Sequence, residues 1–492
     1  MSTDSSDSVS ITIPDWTPPW PVSGDDSFVR VTAANVRGNS AWECPAQIAY
    51  KARPTGRVQR DPSVRIAYPP TETFALGIVK DAIARALTRG EDPDAALDAV
   101  VLDCRNPVPP AMLQVIGQCV RGYFEALGQL RTEGHLPADT VVRDFFAYDE
   151  MPGQSPERVE WSGWGVMHVS RDSELREYHV LTWDRAGMRE RPEPYLAVYA
   201  RIAADAVALP DNTPWWERWT PAEHQPRPGR FVRIREIGLL DSSHHLLHEN
   251  SVESSRASFP GIVGPTLTVL GGETYNPGTR CATCAVRFEC PGIARLPGLL
   301  GVTGESTWTR ALTPADLTAA MACTWRVHLT RDLGLPAAHR PTTPAMVRGS
   351  SVHAWLEQAH SRLIPCSADD LPIPGDGIGE VAERLGWDVD LYAGARTYLL
   401  QHLHACPLRD PSVSAAFPEW SMTAWDTDID VVVSTRPDLV VDFGNRVVVR
   451  ETKSVGEALA TDDADELFAR YPQVALALCM LADGLDPVSG HM

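Results

Sequence analysis

Three things are scarce in this chain of 492 residues, and each scarcity removes a class of function. Basic residues are outnumbered, 44 Lys and Arg against 64 Asp and Glu, and the formal net charge is −20. A generally cationic surface is excluded, so any nucleic-acid contact has to rest on locally concentrated positive charge. Cysteine is sparse as well: ten residues cannot form a disulfide scaffold for a chain this long, and a tight group of them points to metal binding or catalysis in a reducing compartment. Long apolar runs are missing, none approaching the ~20 residues of a membrane span. The opening MSTDSSDSVS has neither the basic nor the apolar region of a signal peptide. The expectation is a cytoplasmic protein with no membrane contact. No Walker-type loop or dinucleotide fingerprint occurs, so ATP-driven unwinding would need a partner.

What is present is apolar material for two or three cores, 43% of the chain. Residues 1–26 are rich in Ser, Asp and Pro and read as a disordered lead-in, with structure beginning near Phe28. A domain boundary is expected near residue 305, separating 27–305 from 306–492. Just beyond it, Thr313 is placed to cap a helix that has Pro314 at its first position and Asp316 in its first turn. Leu317, Met321, Trp325, Val327 and Leu333 continue a mostly helical apolar spacing, ended by Gly334 and Pro336. A second helix is expected after Gly349, carrying SSVHAWLEQAHSRL.

The two halves read as diverged copies of one plan. The first runs from ECPAQIAYKARP through ALGIVKDAIARAL and GWGVMHVSRDSELREYHVLTWD to PYLAVYARIAADAVALPD. The second runs from MACTWRVHLTRDLGLP through RGSSVHAWLEQAH and a valine-rich hairpin to YPQVALALCMLADGLDP.

That hairpin, RPDLVVDFGNRVVVRETKS (436–454), carries the chemistry. A two-residue loop with Gly first is the signature of a type II′ turn, which makes Phe443 and Arg446 the last pair. Counting back, Asp438 falls opposite Glu451 with Cβ atoms about 4.5–5.5 Å apart. Lys453 projects on the same face as Glu451, one step along. Two carboxylates and an ammonium on one patch suit a hard divalent ion, Mg²⁺ or Mn²⁺, with retained waters that can be activated. An exposed salt-bridged hairpin is the other reading of these residues alone.

The order Gly349-x-x-x-His353, Asp438 after Arg436-Pro437, Glu451-Thr452-Lys453 and Gln473 in YPQVALAL resembles the RecB-like exonucleases of the PD-(D/E)XK superfamily, over about residues 313–485. The resemblance implies an α/β fold, a mixed sheet flanked by helices. It also implies a divalent-metal site with His353, Asp438 and Glu451 as ligands, Lys453 as catalytic lysine and Gln473 near the nucleic acid. The family's Gln-x-x-x-Tyr motif has Ala477 in the Tyr position. Glu357, one turn after His353 on the same helix face, is a candidate to support it by hydrogen bonding, and Glu419 in FPEW is a further candidate acid near the site.

CATCAVRFEC sets Cys281, Cys284 and Cys290 in a C-x2-C-x5-C array. Zinc and a [4Fe-4S] cluster both accept four cysteines, and spacing alone does not choose. The array looks like part of the iron-sulfur clasp of AddB-type and CRISPR-associated RecB-like nucleases, whose remaining cysteine lies far upstream before a proline. Cys44-Pro45 fits that place, with Cys323 as rival. The fold expected is therefore a tandem of restriction-endonuclease-like domains. The first is Fe-S clasped and degenerate, with Asp81 in the His353 slot, His179 and Thr182 where acid and lysine belong, and Tyr195 in the Gln473 slot.

Two further signals are weaker. His244 and His248 in SSHHLLHEN are spaced as on a helix face but lack the intervening Glu of a zinc protease. Trp215, Trp216 and Trp219 in PWWERW suit base stacking or, more commonly, packing. The function expected is a metal-dependent nuclease acting on DNA, with RNA left open, in repair or anti-phage defence and alongside a helicase or other subunit. A noncatalytic nucleic-acid-binding scaffold is the rival.

Overall fold

The computed structural model describes residues 11–24, 27–37, 43–58, 69–138, 140–172, 174–210, 213–304, 308–337, 342–372, 387–453 and 463–485. Among these, no helix is long and apolar enough to cross a membrane. The chain forms two compact units, one of Met1–Asn276 with His328–Ala337, the other of Pro277–Val327 with Ala338–Met492. The boundary expected near residue 305 falls on residues outside those described, and the division between units comes earlier, at Asn276. The expected start at Phe28 also comes earlier: Ile13 and Trp20, inside the presumed lead-in, are buried.

In the first unit, a five-stranded sheet has the order His244–Ser251, Phe231–Gly238, Leu175–Thr182, Val166–Ser170, Thr140–Arg143. The pair Phe231–Gly238 and Leu175–Thr182 is parallel and the other neighbours are antiparallel. Side chains alternate between two cores. Leu181 and Ile237 pack with Ile83, Ile116 and Leu127 of helices Ala75–Arg89 and Pro110–Thr132, whereas Val180 and Ile234 pack with Val198 and Ile202 of helix Glu193–Asp205. His244 and His248 stand on a strand, paired with Ile237 and Ile234, so the helical spacing read from the sequence does not apply: the sheet partner decides the conformation. Trp219 packs on Arg30, whose guanidinium carbon lies 3.3 Å from the ring centroid, while Trp215 and Trp216 are exposed.

A buried polar chain runs beneath helix Pro110–Thr132. The Thr140 hydroxyl meets His168 Nδ1 at 2.9 Å. The Tyr123 hydroxyl bridges His168 Nε2 at 2.8 Å and His179 Nδ1 at 2.9 Å, and His179 Nε2 lies 3.2 Å from Glu177. Arg235 Nε donates to the same Glu177 oxygen at 2.6 Å. Burial holds His168 well below the ordinary imidazole value and Tyr123 well above the ordinary phenol value, so both are neutral.

In the second unit, strands β1 (Ala294–Arg295), β2 (Arg310–Leu312), β4 (Met422–Asp426) and β5 (Val431–Thr435) form a sheet of order β1-β4-β5-β2. Strands β3 (Ala415–Pro418), β6 (Leu439–Asp442) and β7 (Val447–Arg450) form an antiparallel sheet of order β3-β6-β7. Helices cover both faces of the latter. Leu439 and Val441 pack on Trp355 and Leu356 of α2 (Pro344–His360) and on Leu399 and Leu403 of α3 (Val389–Ala405). Val440, one step out of phase, packs on Leu476 and Met480 of α4 (Pro472–Ala482). The valine run is buried on both sides, which is why it reads as continuous rather than alternating.

Helix α1 (Pro314–Ala322) starts as expected, with the Thr313 side chain accepting from the Asp316 amide and Asp316 returning the bond. It is interrupted at Cys323, after which helical turns resume over Thr324–Val327 and His328–Asp332, ending before Gly334 with φ +60°. The backbone is extended at Cys323, Met321 and Trp325 are exposed, and Leu333 and Leu335 pack in the core of the first unit. Helix α2 begins before Gly349, capped by Thr343, because Pro344 supplies the first-turn φ and the glycine is tolerated inside.

Replacing Tyr123 by Phe removes the hydroxyl that serves both histidines and leaves two buried ring nitrogens without a partner. Urea unfolding should show a stability loss of about 1–3 kcal/mol with an unchanged m-value. A neutral substitution would mean the chain is hydrated rather than dry.

Candidate active site

The site is built at one end of the β3-β6-β7 sheet. Register pairs Pro418 with Leu439 and Leu439 with Arg450, so the next residue on each strand is Glu419, Asp438 and Glu451, side by side. The Glu419 amide donates to the Asp438 carbonyl at 3.0 Å, which continues the ladder by one pair. The hairpin counted from the sequence is the one present: Phe443 donates to Arg446 at 2.9 Å, and Gly444 has φ +78°, the left-handed conformation such a turn requires.

His353 comes from the middle of α2, and its Nδ1 lies 2.9 Å from Asp438 Oδ1. That hydrogen bond raises the imidazole above its ordinary value and outweighs burial. One ligand atom each from His353, Glu419 and Asp438 lies within 4.8 Å of the others. Glu419 adopts a left-handed backbone, φ +50°, unusual for a residue with a side chain, and this turns its carboxylate toward the group. Burial and the neighbouring Asp438 push that carboxyl up to about 7, against the opposing pull of Arg436. Arg436 Nε lies 3.1 Å from Glu419 Oε2 and donates to its carbonyl at 2.6 Å. Glu357, expected beside His353, is instead 3.6 Å from Arg436 Nη2.

Glu451 stands beside this trio. Its Oε1 accepts from Lys453 Nζ and, at 3.0 Å, from Gln473 Nε2 at the start of α4. Its Oε2 is buried and lacks a hydrogen-bond partner among the described residues. A buried carboxylate oxygen in that condition is costly unless a cation meets it. Three carboxylates and one imidazole, one of the oxygens unsatisfied, fit Mg²⁺ or Mn²⁺ by donor type, Mn²⁺ tolerating the imidazole better. A cleft of about 280 Å³ adjoins the patch, lined by Val352, Leu356, Tyr398, Arg450, Glu451 and Lys453. Ala477 is fully buried beside Leu476 and Met480, so the position where the family has Tyr faces the core here.

All five residues expected from the hairpin and its helices, His353, Asp438, Glu451, Lys453 and Gln473, are brought to this one end of the sheet. Beside them stand Glu419, a further acid in the sequence, and Arg436, which the sequence motif gives only as the residue two before Asp438. The signal for Glu419 was register: a third strand added to a counted hairpin puts its residue in the same row.

The cysteines lie elsewhere. Cys281 sits in the 3-10 turn Thr279–Thr283 and accepts from the Gly278 amide at 3.5 Å, while Cys284 and Cys290 each follow a 3-10 turn. This array belongs to the second unit, because Ile293 and strand β1 beside it pack on and pair with the segment ending at Trp425. Cys44 caps helix Pro45–Lys51 in the first unit. Cys323 is exposed at the end of α1.

Residues 311–491 match the family model of the PD-(D/E)XK nuclease superfamily, a fold whose members are generally metal-dependent nucleases. No curated protein matches the chain.

An ion that takes His353 and Glu419 as ligands must displace their protons, so Mn²⁺ affinity should rise as pH increases through the Glu419 value of about 7 and the raised His353 value. Without metal the sign reverses. The raised His353 and Glu419 both stabilise the fold most fully below their ordinary values, and that stability is lost as pH rises through the raised ones. Glu419→Gln should weaken Mn²⁺ binding and flatten its pH dependence by about one proton, read by calorimetry in two buffers. An unchanged slope would remove Glu419 from the ligand set.

Proposed function

We propose that the PD-(D/E)XK domain of this chain hydrolyses phosphodiester bonds in a nucleic acid, DNA being the expected substrate, with Mg²⁺ or Mn²⁺ bound by His353, Asp438, Glu451 and Glu419. The observation that supports this most is the row Glu419-Asp438-Glu451 across three strand ends, with a buried oxygen of Glu451 left over for a cation. A bound divalent ion supplies Lewis acidity toward a phosphoryl oxygen and a more acidic water. The protein's own residues do the remainder. Lys453 places an ammonium where negative charge grows on the phosphate, and it is oriented by its contact with Glu451. Gln473 holds the same carboxylate from the other side, so Glu451 is fixed in place before substrate arrives. Arg436 restrains the Glu419 loop. Tyr398 and Arg450 line the adjoining cleft, the natural path for a sugar-phosphate strand on an otherwise acidic protein.

The array Cys281, Cys284 and Cys290 is proposed to hold a [4Fe-4S] cluster, with zinc as the alternative metal. The first half is proposed as a nuclease-like domain without a metal site. Support comes from its hairpin, Val166–Ser170 with Leu175–Thr182, whose His179 and Glu177 are engaged in the buried chain with Tyr123 and Arg235. Such a half would grip substrate or a helicase-type partner in a repair or defence complex. A second reading, a noncatalytic binding subunit, draws on the net charge and on Ala477.

Metal-dependent cleavage of single- and double-stranded DNA and RNA decides between them. Asp438→Ala, Glu451→Ala and Lys453→Ala should each lower cleavage by at least about 10²-fold, non-additively in combination, with thermal unfolding little changed. Retained activity in any one would sink the assignment. Anaerobically purified protein should contain iron and show the broad visible absorbance of thiolate-bound clusters, lost in Cys281→Ser. Zinc in place of iron in that array would support the alternative.

A further inference from the structure

Outside the acidic site, the second unit gathers a different donor set. His360 ends α2 and Cys366 lies in the segment beyond it; His402 is in the last turn of α3 and Cys406 follows it. One ligand atom from each of the four lies within 4.8 Å of the other three. His360 Nε2 and His402 Nε2 are 3.0 Å apart, and Cys366 Sγ is 3.8 Å from His402 Nε2. Tetrahedral zinc, with bonds of ~2.0–2.1 Å to nitrogen and ~2.3 Å to sulfur, sets its ligand atoms roughly 3.3–3.8 Å apart. We propose that His360, Cys366, His402 and Cys406 form a structural zinc site that ties the ends of α2 and α3 together.

Three features support an ion over a packed polar cluster. Cys366, His360 and Cys406 are 1%, 3% and 4% exposed within a core of Trp355, Leu403 and Leu408, where a cluster of ligand-type polar groups is costly to bury. The Nδ1 atom of His360 is buried without a partner among the described residues, so Nε2 is the only nitrogen of that ring with anything to bind. The Cys366 amide donates to Cys406 Sγ at 3.4 Å, an outer hydrogen bond of the kind that steadies a thiolate ligand. With two nitrogens and two sulfurs supplied by protein the coordination is complete, which is the mark of a structural rather than a catalytic ion. Its consequence reaches the other site. His353 lies two turns before His360 on the same helix, so a clamp at the helix end fixes the rotation and height of the residue that meets Asp438. In the sequence the signal is H-x5-C in HSRLIPC and H-x3-C in HLHAC, each unremarkable alone.

The test uses the full chain purified under reducing conditions, with metal content measured by mass spectrometry. The Cys366→Ser/Cys406→Ser variant should hold one zinc per chain fewer than the wild type, and Cys281→Ser should keep that ion. Cobalt added after chelation should give the sulfur-to-metal charge-transfer bands of a thiolate site in the wild type and not in the double variant. His402→Cys, which keeps a donor at that position, should retain zinc and so guard against loss through misfolding. Chelation should also lower the thermal midpoint by several degrees. A zinc content equal in the double variant and the wild type, a wild type that binds neither zinc nor cobalt, or a Cys366–Cys406 disulfide in the reduced preparation would overturn the proposal. Because none of these readouts is cleavage, they stand whatever the nuclease assay gives.

Discussion

Strand register at one end of a three-stranded sheet is the constraint from which the site follows. Antiparallel pairing of β3, β6 and β7 carries Glu419, Asp438 and Glu451 to adjacent places in a single row. Three carboxylates so close repel one another, and the protein meets that repulsion with cationic groups: His353 on Asp438, Arg436 on Glu419, Lys453 on Glu451. The charge is only partly compensated. Glu419 is left with a raised carboxyl and Glu451 with an orphaned oxygen, the condition of a site poised for a hard cation.

The apolar scaffold exists to keep that row in register. A slip by one residue would send Leu439 and Val441 away from α2 and α3 and expose them, so burial on both faces fixes the pairing more strongly than the ladder hydrogen bonds do. The same packing sets where α2 lies and thus where His353 can reach. A His/Cys clamp at the far end of α2 adds a second fixed point, leaving the helix little freedom to turn about its axis.

The first unit answers the same architectural problem differently. Its hairpin turns His168, His179 and Glu177 inward, where Tyr123, Thr140 and Arg235 engage the two rings and Glu177 Oε1, while Glu177 Oε2 is buried without a hydrogen-bond partner among the described residues. A buried polar chain of this kind rigidifies a sheet.

The sequence by itself determined what is local. The Gly444-Asn445 turn set the pairing of Asp438 with Glu451, because side-chain alternation and turn length leave one register. Thr313, Pro314 and Asp316 likewise start a helix for reasons contained in four residues. What depends on distant segments was out of reach. Met321 and Trp325 share a helical period with Leu333, yet only Leu333 is buried, because the chain breaks at Cys323 and the later stretch belongs to the other unit. His244 and His248 look helical in spacing and are held in a strand by their pairing with Ile237 and Ile234. Glu419 joins the site through a neighbouring strand and a left-handed backbone that no short motif announces. His360, Cys366, His402 and Cys406 meet only because Leu439 and Val441 pull α2 and α3 onto one face of a sheet. Periodicity and turn chemistry are properties of neighbours along the chain, whereas ligand sets assembled from separate elements are decided by which apolar faces must be buried against each other.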